Sequence, residues 1–338
     1  MNYNIKTLTA VIFILASSIV LAQDSKLLLD KQGKFKVVNW SVYGLGGSDF
    51  TKIEKDANYK RLCEIAEVVH QNPVMKDLKG FDCDATLYGR SYDKRNGYGI
   101  PCQLAFNFCS WSVQNNKEYK WTIEPPHWDI EVNRIVPPSM NNGFGYSTPK
   151  PTEQPKPGFN YDEWNKIGEK LRDIIYVSGK KETVAEGIDK YGDEQYIIYN
   201  STRPAYWLPV KVNEVYTLLI DFWKLYPDKI QSEFMSKFLE DEYAKVSEND
   251  RDKYLDGTLI EGCVSVNTQV PVMKINPGYW NKNLPRSAVQ IISFKCPTDK
   301  RIIEKEMEEQ FENNDGTYHI GRFLKEFDVN SLLSVVDK

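Results

Sequence analysis

The run His127-Trp128-Asp129-Ile130-Glu131 places metal-ligating side chains at alternate positions. On a β-strand alternate side chains share a face, so His127, Asp129 and Glu131 are predicted to project together. An imidazole and two carboxylates are ligands that suit Zn²⁺ or Mn²⁺. Same-face neighbours stand about 7 Å apart, however, so an ion would bind two of them and would need further ligands from elsewhere. A half-exposed strand with Trp128 and Ile130 facing the core explains the same alternation, and we predict no metal site here.

The familiar catalytic motifs do not occur in the sequence. Its three histidines, His70, His127 and His319, do not form the H-E-x-x-H helix of zinc hydrolases, and there is no G-x-S-x-G nucleophile elbow. The glycine-rich run at 44–48 matches no phosphate-binding motif, and a tight turn explains its glycines. We predict no cofactor. Paired carboxylates need no readable motif, so a hydrolase of polysaccharide or peptidoglycan is an alternative function.

Two proline-containing loops carry both aromatic and arginine side chains. Residues 200–209 (NSTRPAYWLP) and residues 276–286 (NPGYWNKNLPR) are the two segments. Loops on a rigid scaffold are where binding residues concentrate. We therefore predict that the two loops meet at an exposed edge and form one recognition surface, although rings that cover the ends of a core would give the same pattern. The candidate binding residues are Arg203, Tyr206, Trp207, Tyr279, Trp280 and Arg286.

The N-terminal segment has the order of a secretory signal peptide. Lys6 precedes an apolar run from Leu8 to Leu21, and Ala22 provides a small residue before Gln23. The run is short for crossing about 30 Å of hydrocarbon, and no later stretch is apolar enough to do so. We expect residues 1–22 to be cleaved near Ala22-Gln23, which predicts a soluble mature chain that is periplasmic or secreted.

Charge and composition exclude one class of partner. The chain has 43 basic and 47 acidic residues, a formal net charge of −4, and it lacks the basic stripe that nucleic-acid binding requires. Its 338 residues suffice for one large domain or two ordinary ones. Most of its 8 tryptophans and 20 tyrosines lie within periodic segments, so most of these rings are predicted to pack in the core.

Six cysteines lie outside the predicted signal peptide. An even number of cysteines in an exported chain predicts disulfides, and without a C-x-x-C motif nothing indicates a redox dithiol or a zinc knuckle. Cys102 and Cys109 are seven residues apart in a predicted strand, or about 23 Å, whereas a disulfide needs Cα atoms within about 7 Å. We therefore expect these two to pair with Cys63 and Cys83.

The elements that must position these residues fall into two halves. In the first, residues 35–43 form a predicted strand, Ser48 and Asp49 are candidate N-caps, and residues 59–69 recur at helical spacing. Four strand candidates follow, at 82–88, 103–113, 118–124 and 128–136. A hairpin turn is predicted at Asn115-Asn116. An antiparallel sheet with one packed helix resembles the outline of a cystatin-like α+β domain, a likeness of fold that implies no function, and the Q-x-V-x-G loop of cystatins has no counterpart here.

The second half is predicted to be a helix-rich α+β domain. A proline-rich stretch at 137–160 is the predicted linker or crossing loop, so the domains are expected at 23–136 and 161–338. Helices are predicted at 161–175, 212–226, 229–246, 300–312 and 320–327. Asn213 is a possible cap for the second of these helices. Strands are predicted at 195–199, 259–266 and 288–296.

Together these features favour an exported, non-enzymatic protein that binds a protein or glycan partner through its aromatic loops. The main alternative is the secreted or periplasmic hydrolase with paired carboxylates, for which a cleft lined by two carboxylates would be the discriminating observation. A structural or envelope-assembly protein is a third hypothesis.

We predict that Cys263 and Cys296 form a disulfide in the exported protein. Closing a loop of about 34 residues is expected to stabilise the fold by roughly 3–4 kcal/mol in the chain-entropy model. Peptide mapping after alkylation without reductant checks this, since the peptides that contain Cys263 and Cys296 should be detected as one cross-linked species. Recovery of both residues as alkylated thiols would refute the pairing.

Overall fold

The computed structural model of the chain describes residues 26–44, 49–91, 98–134, 160–176, 181–255, 258–260, 263–265, 272–297 and 299–337. The fold class is α+β, as predicted, with a large mixed sheet and several helices. The predicted signal peptide, most of the glycine run at 44–48 and nearly all of the predicted linker at 137–160 lie outside the described residues.

The strands of the described chain are short apart from two in its first half. In chain order they are β1 Lys26–Leu27, β2 Phe35–Asn39, β3 Phe81–Gly89, β4 Cys102–Gln114, β5 Lys117–Lys120, β6 His127–Val132, β7 Ile174–Tyr176, β8 Lys181–Ala185, β9 Ile188–Tyr191, β10 Gln195–Tyr199, β11 Trp207–Pro209, β12 Thr258–Ile260, β13 Cys263–Ser265, β14 Val272–Ile275 and β15 Ile291–Lys295.

The α-helices among the described residues are α1 Lys52–His70, α2 Pro73–Lys76, α3 Tyr161–Arg172, α4 Val212–Lys224, α5 Lys229–Lys245, α6 Glu248–Arg251, α7 Lys300–Glu312 and α8 Tyr318–Glu326. Short 3₁₀ helices cover Val42–Gly44, Pro277–Tyr279 and Val329–Val335.

The two predicted caps upstream of α1, Ser48 and Asp49, are corrected. Thr51 is the N-cap and forms a capping box with Glu54, so the helix begins after it. Asn213 is not the cap of α4, because Lys211 holds that position without a side-chain hydrogen bond.

The chain forms two compact units, and neither is continuous in sequence. Unit 1 takes in the chain up to Arg90, Cys102–Ile130 and Lys295–Val335, whereas unit 2 takes in Ser91–Pro101, Glu131–Phe294 and Val336–Lys338. The linear division predicted at 137–160 differs from these units, because a single cut cannot describe a chain that returns to its first unit.

Unit 1 is built on the antiparallel pairing of β3 with β4, which runs from Phe81 opposite Ser110 to Gly89 opposite Cys102. One face of this pair is fully buried. The helix α1 packs on that face, where the Asn58 amide donates to the Cys102 sulfur at 3.1 Å. The strand order in this unit is β2-β3-β4-β6, and β1 and β5 also pair with β4.

The cystatin-like outline holds for β3, β4 and β5 but not for β2. The strand β2 runs parallel to β3, with Phe35 opposite Cys83. A helix between two strands returns the chain to the end where it started, so the strand–α1–strand segment is a parallel crossover rather than part of an antiparallel sheet. The hairpin turn is confirmed, because Asn115 and Asn116 have φ values of 52° and 58° and join β4 directly to β5.

Two hydrophobic cores lie among the described residues of unit 2. The first surrounds α4, whose apolar positions pack against α3 and α5, and Trp164 stacks on Phe222 with ring centroids 5.1 Å apart. The second core lies beside β9, β10 and β15 and contains the aromatic loops. The strand order in this unit is β15-β10-β9-β8, and β11, β14 and β7 form a separate three-stranded sheet.

The cysteines of the early group lie on both faces of the β3–β4 pair. Cys83 lies opposite Phe108 and is fully buried, whereas Cys109 lies opposite Asp82 on the other face. Both residues are thiols in the structure. Burial raises the pKa of the Cys109 thiol to about 11, so little reactive thiolate forms at neutral pH. The predicted pairing within the early group stays a prediction.

Cys296 is also a buried thiol in the structure, and burial raises its pKa to about 11. The side chain of its predicted partner, Cys263, lies outside the described residues. The Cys263–Cys296 disulfide therefore also stays a prediction.

His319 is the fully buried histidine of α8. Its ring lies 4.7 Å from that of Phe81, and neither ring nitrogen has a hydrogen-bond partner within the part of the chain that is described. Gly80, at φ 89°, makes this packing feasible, since an added Cβ would come within 2.7 Å of the imidazole. Burial, with a smaller effect of the Arg322 charge, lowers the pKa of His319 to about 3.

We predict that His319 makes the fold acid-sensitive. Its pKa lies below the value of 6.5 that an unfolded chain would show, so the unfolded state binds the proton first and stability is lost as the pH falls from 6.5 towards 3. Replacing His319 by Phe should flatten the decline in the urea midpoint over this range. The exposed His127, changed to Gln, is the control, and an unchanged slope in His319→Phe would contradict the assignment.

Candidate functional site

The predicted aromatic residues do come together, as expected, in the second core of unit 2. The ring of Tyr206 lies 5.2 Å from that of Trp207 and 6.3 Å from that of Tyr279, and Tyr279 lies 5.5 Å from Trp280. Their predicted exposure is not observed, since Trp207 is 3% exposed and Trp280 is 5% exposed. The rings pack on β9, β10 and β15, so they contribute apolar core and do not form an exposed recognition surface.

The two predicted arginines donate hydrogen bonds to backbone carbonyls. Arg203 donates from Nε and Nη2 to the carbonyl of Tyr279, at 3.0 and 2.9 Å, and so ties the first aromatic loop to the second. Arg286 donates to the carbonyl of Tyr98 at 3.4 Å. These hydrogen bonds satisfy carbonyls in segments that lack regular secondary structure.

A buried carboxylate, Asp189, organises the aromatic core from the β9 side. Its Oδ2 accepts hydrogen bonds from the Tyr206 hydroxyl at 2.6 Å and from Lys181 at 2.8 Å, and its Oδ1 accepts from Thr183 at 2.8 Å. The hydroxyls of Tyr206 and Tyr191 are 2.8 Å apart. Burial raises the pKa of Tyr206 and of Tyr191, so both phenols stay neutral. Tyr206 donates to this carboxylate directly, and Tyr191 is hydrogen-bonded to Tyr206.

A different aromatic side chain, that of Trp121, does face solvent next to a pocket. On the buried face of β4, Phe106 and Phe108 belong to the core of unit 1, and Ser110, Ser112 and Gln114 continue the same face at alternate positions. The change from phenylalanine to hydroxyl and amide side chains converts a core surface into the floor of a polar pocket.

The pocket has a volume of about 390 Å³, within the range of small-molecule sites. One wall follows β5 and the other is the turn between α7 and α8. The lining residues are Leu27, Ser110, Ser112, Gln114, Trp121, Glu124, Pro126, Asn313, Asn314, Asp315 and Gly316. We call it the Trp121 pocket.

Trp121 is held in place although 49% of it is exposed. Its backbone N–H donates to the carbonyl of Ser110 at 2.9 Å, which extends the β4–β5 pairing by one step. Its indole N–H donates to the carbonyl of Ile123 at 2.6 Å. The ring is therefore fixed by its own loop before any ligand arrives.

Two lining residues have left-handed backbone conformations that are uncommon outside glycine. Glu124 has φ 45° and Asn314 has φ 54°. Beside Asn314, Gly316 is required by close packing, since an added Cβ would lie 2.5 Å from the Ser110 hydroxyl. Residues in such conformations concentrate at functional sites, where the surrounding structure holds them.

Of the three polar side chains on the floor of the pocket, Ser110 donates to the carbonyl of Gly316 at 3.4 Å, and the other two are available to a ligand. Ser112 is 8% exposed, and within the described part of the chain neither its hydroxyl nor the Gln114 amide makes a side-chain hydrogen bond. Hydroxyl and amide groups both donate and accept, so they match ligands that carry many hydroxyls.

A larger pocket, of about 760 Å³, lies in unit 2 and is mostly apolar. Its charged side chains include Lys274 and Glu214, which form an ion pair with one another at 2.6 Å. These two charges are therefore already used within the protein.

The predicted alternation of β6 is confirmed, with Trp128 and Ile130 buried and His127 exposed. His127 Nε2 lies 3.5 Å from Asp129 Oδ2. Among the residues that are described, no group of three or more histidine, cysteine, aspartate or glutamate side chains is placed to hold a metal ion. Over the same residues, no helix has the length and apolar character needed to cross a membrane.

Comparisons of the chain with protein families, with curated proteins and with solved structures gave no match. A proposal for the function therefore rests on the site itself.

We predict that Tyr206→Phe destabilises unit 2. The change removes the hydroxyl that donates to the buried Asp189 carboxylate, and hydrogen bonds to charged groups contribute about 1.5–3 kcal/mol. Urea unfolding should show a loss of that size, whereas Tyr254→Phe, at a tyrosine that is 62% exposed, should change the free energy of unfolding by less than about 0.5 kcal/mol. Equal effects of the two substitutions would contradict the role given to Asp189.

Proposed function

We propose that this protein is an exported glycan-binding protein and that the Trp121 pocket is its binding site. The observation that supports this most directly is a half-exposed indole fixed beside the Ser112 hydroxyl and the Gln114 amide, which make no side-chain hydrogen bond within the described residues. The aromatic recognition predicted from the sequence is thereby assigned to another ring, in unit 1.

An exposed tryptophan suits a sugar because a pyranose has an apolar face of C–H groups. Such a face stacks on an indole and buries a large apolar area, while the ring edges keep their hydroxyls available for hydrogen bonds. Trp121 is positioned for this, since its own N–H is already bonded to Ile123 and its ring borders the pocket.

The polar lining suits the hydroxyl rim of the same ligand. Ser112 and Gln114 lie on the floor, and Asn313 and Asn314 lie on the opposite wall. Each of these groups can donate and accept, as a diol or an N-acetyl group requires. A few polar groups around one aromatic platform are typical of sites that orient a small ligand.

Export fits this function, since glycans of the cell envelope and the surroundings are found where an exported protein works. The support for export is the apolar run from Leu8 to Leu21 and the small residue at Ala22. We propose a periplasmic or secreted location on that basis.

Hydrolysis is the competing function, because Glu124 and Asp315 both line the pocket and glycosidases use two carboxylates. The carboxylate of Asp315 already has a structural partner, since its Oδ1 accepts the backbone N–H of Thr317 at 2.9 Å. We therefore favour binding without cleavage. Incubating the protein with a glycan that it binds should release no new reducing ends, and sustained release that Glu124→Gln abolishes would establish the hydrolase instead.

We predict that Trp121→Ala weakens glycan binding at least tenfold, because it removes the stacking platform. A tenfold change corresponds to about 1.4 kcal/mol, within the range expected for an aromatic contact. The assay is calorimetric titration with the best oligosaccharide found on an array of neutral hexose and N-acetylhexosamine oligomers.

The matched control is Trp40→Ala, since Trp40 is 72% exposed and does not line the pocket. This variant should bind as the unaltered protein does. Equal loss in both variants, or binding that survives Trp121→Ala, would refute the site.

A further inference from the structure

We infer that the glycan taken by the Trp121 pocket carries a protonated amine and that Glu124 is the residue that selects it. This inference rests on the proposed glycan-binding function and narrows it to amino sugars that are not acetylated.

The charge of the lining favours a cationic ligand over an anionic one. Among the described lining residues the charged side chains are Glu124 and Asp315, and both are acidic. A uronic acid or a sulfated sugar would meet like charge in this pocket, which is costly. The nearly buried Ser112, with no side-chain partner among the described residues, is a second observation that supports a polar ligand in this pocket.

Glu124 is the carboxylate that is available to a ligand. Asp315 caps its own turn through Thr317, whereas Glu124 makes no side-chain hydrogen bond or ion pair within the described part of the chain. An ammonium group of the ligand would supply the charge-assisted hydrogen bonds that this carboxylate lacks.

The backbone conformation at Glu124 also supports a role of its carboxylate in ligand binding. Its φ of 45° lies in the left-handed region, and the next residue is Pro125, which disfavours helical conformations in the residue before it. Glycine would accept this position at lower cost. The carboxylate therefore occupies a position that stability alone would not assign to it.

Trp121 adds to the preference for a cation. An ammonium group within about 6 Å of an indole centre is attracted by the ring. A sugar stacked on Trp121 would bring an amino group attached to its ring close to both the indole and the wall that carries Glu124.

The test is calorimetric titration with three oligomers of the same length and β-1,4 linkage: glucosamine, N-acetylglucosamine and glucose. At a pH where the amine is charged, the glucosamine oligomer should bind about tenfold more tightly than the other two. Glu124→Gln should bring the three affinities together. Glu312→Gln, at an exposed glutamate of α7 that does not line the pocket, should keep the preference.

Glu124→Gly provides a second test, in a variant that is expected to fold stably. It should raise the midpoint of thermal unfolding, because glycine accepts the left-handed backbone, and it should still lose the preference for the amine. Trp121-dependent binding of all three oligomers with equal affinity would overturn this inference and leave the glycan-binding proposal standing. A preference that persists in Glu124→Gln would overturn it too, and binding of none of the oligomers would count against both proposals.

Discussion

The antiparallel pairing of β3 with β4 is the constraint on which the architecture of unit 1 depends. Because side chains alternate along a strand, the register from Phe81–Ser110 to Gly89–Cys102 decides which residues enter the core beneath α1. The same register carries the apolar face of β4 onward into serine and glutamine side chains. The Trp121 pocket is thus an extension of the core surface rather than a separate structure added to it.

Unit 2 is held by a polar interaction inside an apolar core. Asp189 is fully buried and accepts hydrogen bonds from Tyr206, Lys181 and Thr183, so both oxygens of this buried carboxylate have partners. This network fixes Tyr206 of the first aromatic loop in the interior, whereas the Tyr279 hydroxyl donates to the carbonyl of Gln290 at 2.5 Å. The loop residues that the sequence suggested for recognition therefore have structural roles: Tyr206 donates to a buried carboxylate, and Arg203 donates to a loop carbonyl.

Local patterns predicted much of the fold. The helix at α4, the hairpin at Asn115-Asn116 and the alternation in β6 each follow from the spacing of neighbouring residues. The parallel pairing of β2 and the burial of Trp207 depend on residues distant in sequence, which spacing does not encode. The exposure of Trp121 was not predicted either, since Trp121 lay within the strand predicted at 118–124. Pro125-Pro126, shortly after it, was the available sign that the chain turns there into a loop.

The proposed ligand contacts Trp121 and does not contact the buried aromatic core. The most direct measurement is a titration of the protein with a bound oligosaccharide while the indole N–H signals are followed by ¹H–¹⁵N NMR, with each signal assigned by single Trp→Phe substitution. We expect the Trp121 signal to move in a saturable manner while those of Trp207 and Trp280 stay in place. Saturable movement of the Trp207 and Trp280 signals with Trp121 unchanged would contradict it.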